Sequence, residues 1–154
     1  MKIYFLTGNP SKSEAKGGMR VRRYEERCRD LALHGYTEDS WTFWDADSQP
    51  GDQVVLLRTG PNGGIIGFGL RCEGTSEAGF NSRKEYPVRF YNLRSTLNSP
   101  FISREVHKRK YAFWPYNNAQ RGGLPLDDRL LSALDNCCRA EHGVSFSTLC
   151  NRRI

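Results

Sequence analysis

The spacing of apolar residues changes several times along the chain, and each change marks a predicted element. Residues 2–7 form a short run rich in β-formers and end at Thr7-Gly8-Asn9-Pro10, which predicts a first strand. Residues 19–34 instead carry apolar side chains three or four positions apart with charges between them. This period predicts a helix that stops at Gly35.

Two further apolar runs, 53–58 and 65–74, flank the turn sequence TGPNGG and predict a β-hairpin. Glycines alternate at positions 67 and 69 of the return strand, where they favour sheet curvature or close packing. Residues 86–94 predict another strand, and a short helix is expected to begin near Phe101. A last helix is predicted over 125–139, with Pro125 at an early position. The order β-α-β-β-β-α-α predicts an α+β domain with a small curved sheet, mixed or antiparallel, and helices around it.

The totals describe a basic domain. The 154 residues are enough for one domain with a single core, without metal or disulfide cross-links. The net charge is +6 at pH 7. A basic balance favours an anionic partner, such as nucleic acid or an acidic surface.

Cysteine usage and hydropathy predict a compartment. The five cysteines are odd in number and form no CxxC pair, so we expect reduced thiols in an intracellular protein. No apolar run has the length of a signal peptide or a membrane span. The sequence therefore predicts a cytoplasmic protein without a membrane partner.

The opening TGNPSK leaves one enzymatic alternative, because a similar turn begins the house-cleaning nucleoside triphosphate pyrophosphatases. Such an enzyme needs a divalent metal held by clustered carboxylates. The best acidic candidates, Asp45 and Asp47, precede Gln49-Pro50 and lack the glycine and apolar strand expected after them. The three histidines are scattered, and no nucleophile, P-loop or metal motif occurs. We therefore expect no catalytic residues, no metal and no cofactor in this chain.

Two longer stretches point to a different class. One is QPGDQVVLLRTGPNGGIIGFG, a Pro-Gly-Asp turn, an apolar strand, a short loop and a glycine-rich return strand. The other is FWPYNNAQRGGLPLDDRLLSAL, a Trp-Pro and polar glycine loop before a leucine-rich helix. With the first strand ending in Thr-x-Asn-Pro, residues 2–138 resemble the EVE and YTH-like branch of the PUA superfamily. The resemblance looks closest to the N-terminal specificity domains of modification-dependent HNH restriction endonucleases.

This resemblance implies a PUA-like curved mixed β-barrel of five to six strands with two to three flanking helices. It implies a base-reading domain over residues 1–140, and the basic residues that end the chain predict a loose basic tail over 141–154. It also implies a nucleic-acid reader that accepts a flipped, modified cytosine or adenine. The implied partner is double-stranded DNA, with a nuclease fused to the chain or associated with it.

A flipped base is stacked between aromatic or apolar faces, while its polar edge meets fixed amide and backbone groups. The predicted pocket therefore comprises Asn9, Pro10, Trp41, Phe43, Trp44, Arg58, Trp114, Tyr116, Asn117 and Gln120, with Asn118 as a further edge reader. Flanking phosphates are expected to meet basic side chains. The residues predicted to contact the nucleic-acid backbone are Lys12, Arg20, Arg22, Arg23, Arg27, Lys108, Arg109 and Lys110.

Plainer explanations stay open for the same residues. Tryptophans near a barrel also fill cores, and the arginines of 20–30 are interleaved with Glu25, Glu26 and Asp30, so that helix could be solvated and self-compensated. An RNA-modification reader is a second alternative, since nothing in the sequence tests for a ribose hydroxyl. A basic protein-interaction domain without a base pocket is a third.

Overall fold

The computed structural model describes residues 2–8, 21–43, 47–58, 62–74, 85–95, 99–105, 124–125 and 128–151. Within these ranges one sheet of seven strands packs against three helices. The strands are β1 (Ile3–Gly8), β2 (Thr37–Thr42), β3 (Gln53–Arg58), β4 (Gly64–Arg71), β5 (Glu85–Leu93), β6 (Ile102–Ser103) and β7 (Leu124–Pro125). The helices are α1 (Val21–His34), α2 (Asp128–His142) and α3 (Phe146–Asn151).

The sheet is mixed, with the strand order β2-β5-β4-β3-β1-β7. β1 and β3 are parallel, and every other pair is antiparallel. A parallel pair needs a crossover connection, and the segment that carries α1 and β2 joins β1 to β3. The short strand β6 pairs with β4 at Gly64 and Ile65, along the same edge that β5 occupies further on. The α+β class and the mixed sheet are therefore confirmed.

The sheet is open, so the prediction of a closed β-barrel is wrong. β2 and β7 are the two ends of the strand path, and over the described ranges they do not pair with each other. α1 packs on one face of the sheet, while α2 and α3 pack on the other. Helices on both faces cover the apolar surfaces that a barrel would turn inward, so closure is not needed to bury them.

The two faces of the sheet form two separate cores. Phe5, Phe68 and Leu134 belong to the core beneath α2 and α3. Tyr4 and Tyr24 belong to the core beneath α1. Successive side chains of a strand point to opposite faces, so a strand between two cores is apolar at every position. This explains the unbroken apolar runs of β1, β3 and β4, which gave the clearest strand predictions.

Several element boundaries differ from the predicted ones. β2 was not predicted, because TEDSWT is mostly polar; among the described strands it is an edge strand, paired with β5. Pro125 lies in β7 opposite Tyr4, and the last helix begins at Asp128. Near Phe101 the chain first pairs with β4 through β6, and Arg104 and Glu105 are then helical.

The C-terminal segment packs into the domain over residues 146–151, where we predicted a loose tail. Phe146, Leu149 and Cys150 of α3 are buried against the sheet. The Gln53 side chain donates to the Ser147 hydroxyl at 3.0 Å, which ties α3 to β3. No helix in the described part of the chain has the length and apolar character needed to cross a bilayer.

Asp135 of α2 holds the start of α3, and this contact makes a pH prediction. Its carboxylate accepts the Phe146 amide at 2.8 Å and the Arg139 guanidinium at 2.9 Å. Partial burial raises the pKa of this carboxyl, but those two donors outweigh burial and hold the pKa below its usual range. Because the folded-state pKa is the lower one, the stabilisation is present above the unfolded pKa of about 4 and disappears as the pH falls through the folded value.

We therefore expect Asp135→Asn, which keeps an oxygen acceptor but removes the charge, to reduce the free energy of unfolding at pH 7 by up to about 1 kcal/mol, the range of an exposed ion pair. The difference from the wild type should shrink as the pH falls below about 4, where the wild-type carboxyl also becomes protonated. Urea denaturation between pH 7 and pH 3 measures both stabilities. A difference that stays constant over this range would contradict the role of the charge.

Candidate nucleic-acid interface

The strand register separates the described pocket candidates into two groups. Arg58 ends β3 opposite Gly8, where β1 leads towards the predicted Asn9 turn. Trp41 pairs with Tyr86 near the other end of the sheet, beyond the level of Gln53. The eight residues of β4 span the sheet between the Arg58 end and the Trp41 end. At the usual rise per residue of a strand, Arg58 and Trp41 are therefore at least roughly 20 Å apart along the strand direction. One base-sized pocket therefore does not include both Arg58 and Trp41.

Phe43 is a core residue at the Trp41 end of the sheet. Its side chain is 3% exposed, and its ring makes edge contacts with Tyr4 at 5.3 Å and with Tyr86 at 5.7 Å between centroids. Edge-to-face contacts of this kind favour one ring orientation. Phe43 therefore packs beneath the aromatic side chains of Tyr4 and Tyr86 and presents little surface to a ligand.

Trp41 has a free hydrogen-bond donor, a property expected of an aromatic residue that lines a ligand pocket. It is half-buried against the core beneath α1, and its indole N–H is buried without a hydrogen-bond partner. The indole N–H can only donate, and leaving a buried donor unsatisfied costs ~1–3 kcal/mol. This position favours a ligand edge that can accept a hydrogen bond.

Arg71 is the functional candidate that the sequence predictions missed. It ends β4 and is only 6% exposed, with its guanidinium carbon 3.9 Å from the centre of the Tyr86 ring. Neither Nε nor Nη1 of this guanidinium has a hydrogen-bond partner. The sequence carried one signal for it: Arg71 continues the apolar run of β4, which places an arginine where buried residues are expected. Arginine is rarely fully buried, so such a position indicates a special role. With Trp41 and Tyr86, Arg71 forms what we call the Arg71 cluster.

Two arginines predicted to contact phosphates are instead bound within the protein. The Arg23 guanidinium makes two hydrogen bonds to the Asp39 carboxylate. Arg27 lies 3.7 Å from the same carboxylate and 3.0 Å from Asp30. The contacts to Asp39 fasten α1 to β2, and the Arg27–Asp30 pair within the helix is of the kind that the self-compensated alternative expects. Arg22 also lies on α1.

A concavity lies between α1 and β5, away from the Arg71 cluster. It has a volume of about 410 Å³ and is lined in part by Cys28, Leu31, Asn92 and Phe101. Burial raises the pKa of the Cys28 thiol, so the thiol form is retained at neutral pH. Asn92 donates to the Leu149 carbonyl at 2.5 Å. Arg94 also lines the cleft, and its Nε donates to the Ser99 carbonyl at 2.6 Å. These polar groups are engaged or neutral, so the cleft is a weaker candidate for an anionic ligand than the Arg71 cluster.

The remaining predicted site residues lie outside the described residues. From the base pocket these are Asn9, Pro10, Trp44, Trp114, Tyr116, Asn117 and Gln120, together with Asn118; from the backbone contacts they are Lys12, Arg20, Lys108, Arg109 and Lys110. Their assignment stays a prediction. In the part of the chain that is described, no group of three or more His, Cys, Asp or Glu side chains could hold a metal ion.

Comparisons with known proteins leave the site to be interpreted from its own geometry. A scan against protein-family models, a search of curated proteins and a search of solved structures each found no match. The fold and the Arg71 cluster define a mixed α+β protein with an aromatic and basic site at one end of its sheet.

Proposed function

We propose that this protein binds nucleic acid and accommodates a flipped, modified base, with DNA favoured over RNA. The observation that carries the proposal is the buried, unpartnered indole N–H of Trp41 beside the Arg71–Tyr86 stack. A flipped base has a flat face that stacks on aromatic rings and a polar edge that needs fixed partners. The unpartnered indole N–H of Trp41 is a donor, so it favours a base edge that offers an acceptor.

Charge and resemblance support the same class. The net charge of +6 favours a polyanionic partner and predicts salt-dependent binding. The resemblance to the specificity domains of restriction endonucleases supports DNA as the substrate. In that role the chain is a non-catalytic specificity module, and a fused or associated nuclease performs the cleavage.

The test is binding at a fixed, stated salt concentration to matched duplexes that differ at one base. The bases are cytosine, 5-methylcytosine, 5-hydroxymethylcytosine and N6-methyladenine, with one RNA duplex of the same sequence. We expect a preference for one modified DNA duplex. Trp41→Ala should weaken that complex about 5- to 150-fold, which corresponds to ~1–3 kcal/mol for one lost stacking surface.

Two variants sharpen the test. Trp41→Phe keeps an aromatic face and removes only the donor, so we expect a smaller loss of about 2- to 12-fold. Tyr36→Ala is the matched control, because Tyr36 is an exposed aromatic residue that stacks with Arg89 away from Trp41. Equal binding of all duplexes, with Trp41→Ala unchanged, would contradict base reading and favour a basic surface. Preference for the RNA duplex would favour the RNA alternative.

A further inference from the structure

Within the described residues, Arg71 is a buried cation without an ion-pair partner. Its side chain is almost fully enclosed, and its Nε and Nη1 atoms lack partners. Buried charges in proteins are normally paired, because removing a single charge from water is costly. A ligand that supplies the missing negative charge would resolve this imbalance.

Two carboxylates that the strand pairing brings towards Arg71 already have other partners. Asp52, whose backbone pairs with Arg71, accepts the amides of Lys2 at 3.0 Å and Gln49 at 2.7 Å. Asp39 lies on the same face of the sheet but is bound by α1 through Arg23. These two groups therefore do not supply the missing charge.

The backbone of Arg71 and one face of its guanidinium are held in place before any ligand binds. The Arg71 amide donates to the Asp52 carbonyl at 2.9 Å, and the Arg71 carbonyl accepts the Gly51 amide at 2.8 Å. The Tyr86 ring supports one face of the guanidinium. A pre-ordered donor loses less conformational entropy on binding than a flexible surface arginine.

We propose that Arg71 is a phosphate-binding residue and that its ligand is the phosphate group of a nucleotide. Arginine matches the geometry of phosphate oxygens and binds them with charge-assisted hydrogen bonds. A carboxylate would also supply charge, but Trp41, within the Arg71 cluster, offers an aromatic face for the base that a nucleotide carries with its phosphate. The choice of a nucleic-acid phosphate over a free nucleotide rests on the proposed function; the phosphate site itself does not.

The experiment follows the Nε–Hε resonance of Arg71 by NMR in ¹⁵N-arginine-labelled protein, assigned with Arg71→Lys. Inorganic phosphate, deoxycytidine monophosphate, deoxycytidine, acetate and the preferred duplex are titrated separately. Phosphate, the nucleotide and the duplex should shift this resonance, whereas deoxycytidine and acetate should not. The nucleotide should also raise the Tm by about 3–6 °C at ten times its Kd.

Arg71→Gln should lose this Tm response and bind the duplex at least about tenfold more weakly, since it removes a charged hydrogen-bond donor. Arg89→Gln is the matched control: it removes one charge from the neighbouring strand, where Arg89 is bound to Glu38 and partly exposed. It should keep the wild-type response. If Arg71→Gln does not fold, the wild-type resonance still gives the answer.

The outcomes separate this site from the proposed function. An Arg71 resonance that no phosphate-bearing ligand shifts would overturn the phosphate site, even if the duplex binds and base reading stands. A resonance that phosphate and the nucleotide shift, in a protein that binds no duplex, would keep the site and reject the nucleic-acid reader. A response to acetate equal to that of phosphate would also overturn the proposal, because the site would then be unselective for anions.

Discussion

Replacing Gly69 by alanine is expected to destabilise the protein by at least about 3 kcal/mol, the upper end of the usual cost of overpacking. A Cβ atom at this position would lie 2.2 Å from the Arg89 carbonyl oxygen and 2.9 Å from the Phe90 Cα. Both atoms belong to the backbone of β5, at the point where the β4–β5 register shifts. Relief would require separating two central strands, because backbone atoms cannot move aside as a side chain can.

Gly67→Ala is the matched control for this prediction. A Cβ atom at position 67 would lie nearest to a terminal methyl carbon of Leu93, at 2.6 Å, and a change of side-chain conformation can move that methyl group. We expect Gly67→Ala to lose clearly less stability than Gly69→Ala. Urea denaturation of both variants measures the difference, and equal losses would argue against a specific backbone contact at Gly69.

Phe146→Ala is expected to lower the free energy of unfolding by ~3–5 kcal/mol, as for other large buried aromatic residues. The Phe146 side chain is 2% exposed, and its ring lies 5.9 Å from that of Phe68 in the core beneath α2 and α3. Truncation would leave a cavity at the start of α3. Since the stability of a domain is usually about 5–15 kcal/mol, a large share of the total would be lost.

Leu33→Ala provides the comparison for the Phe146 result. Leu33 is an apolar residue on α1 but is 76% exposed, so its truncation should change stability by less than about 0.5 kcal/mol. Thermal and urea denaturation of both variants test the contrast. A loss below about 1 kcal/mol for Phe146→Ala would mean that residues 146–151 are a separable tail, as the basic end of the sequence first indicated.

The sequence predicted the close packing at Gly69 but not the core position of Phe146. The alternating glycines of β4 were expected to permit curvature or close packing, and Gly69 does approach the backbone of β5 closely. The contribution of Phe146 was not predicted, because one aromatic residue in a short C-terminal segment has no periodicity. It becomes a core residue only when α2 and the sheet form the surface on which it packs.

The candidate site was also predicted only in part. Trp41 was named for its aromatic face, and it pairs with Tyr86, the residue on which the buried Arg71 stacks. Arg58 was assigned to the same pocket because it ends a predicted strand, where its side chain could contact a phosphate or a base edge. The register decides which strand ends are neighbours, and it places Arg58 at the opposite end from Trp41.

The sequence by itself determined the α+β class, the apolar strands β1, β3 and β4, the helix α1 and the basic charge, because hydrophobic period and composition are local properties. Only the tertiary structure decided that the sheet is open, that the polar segment of β2 is an edge strand and that Arg23 is bound to Asp39. It also decided that Arg71 is a buried cation stacked on Tyr86. These features depend on which distant segments meet, and a pattern read along one chain does not contain that pairing.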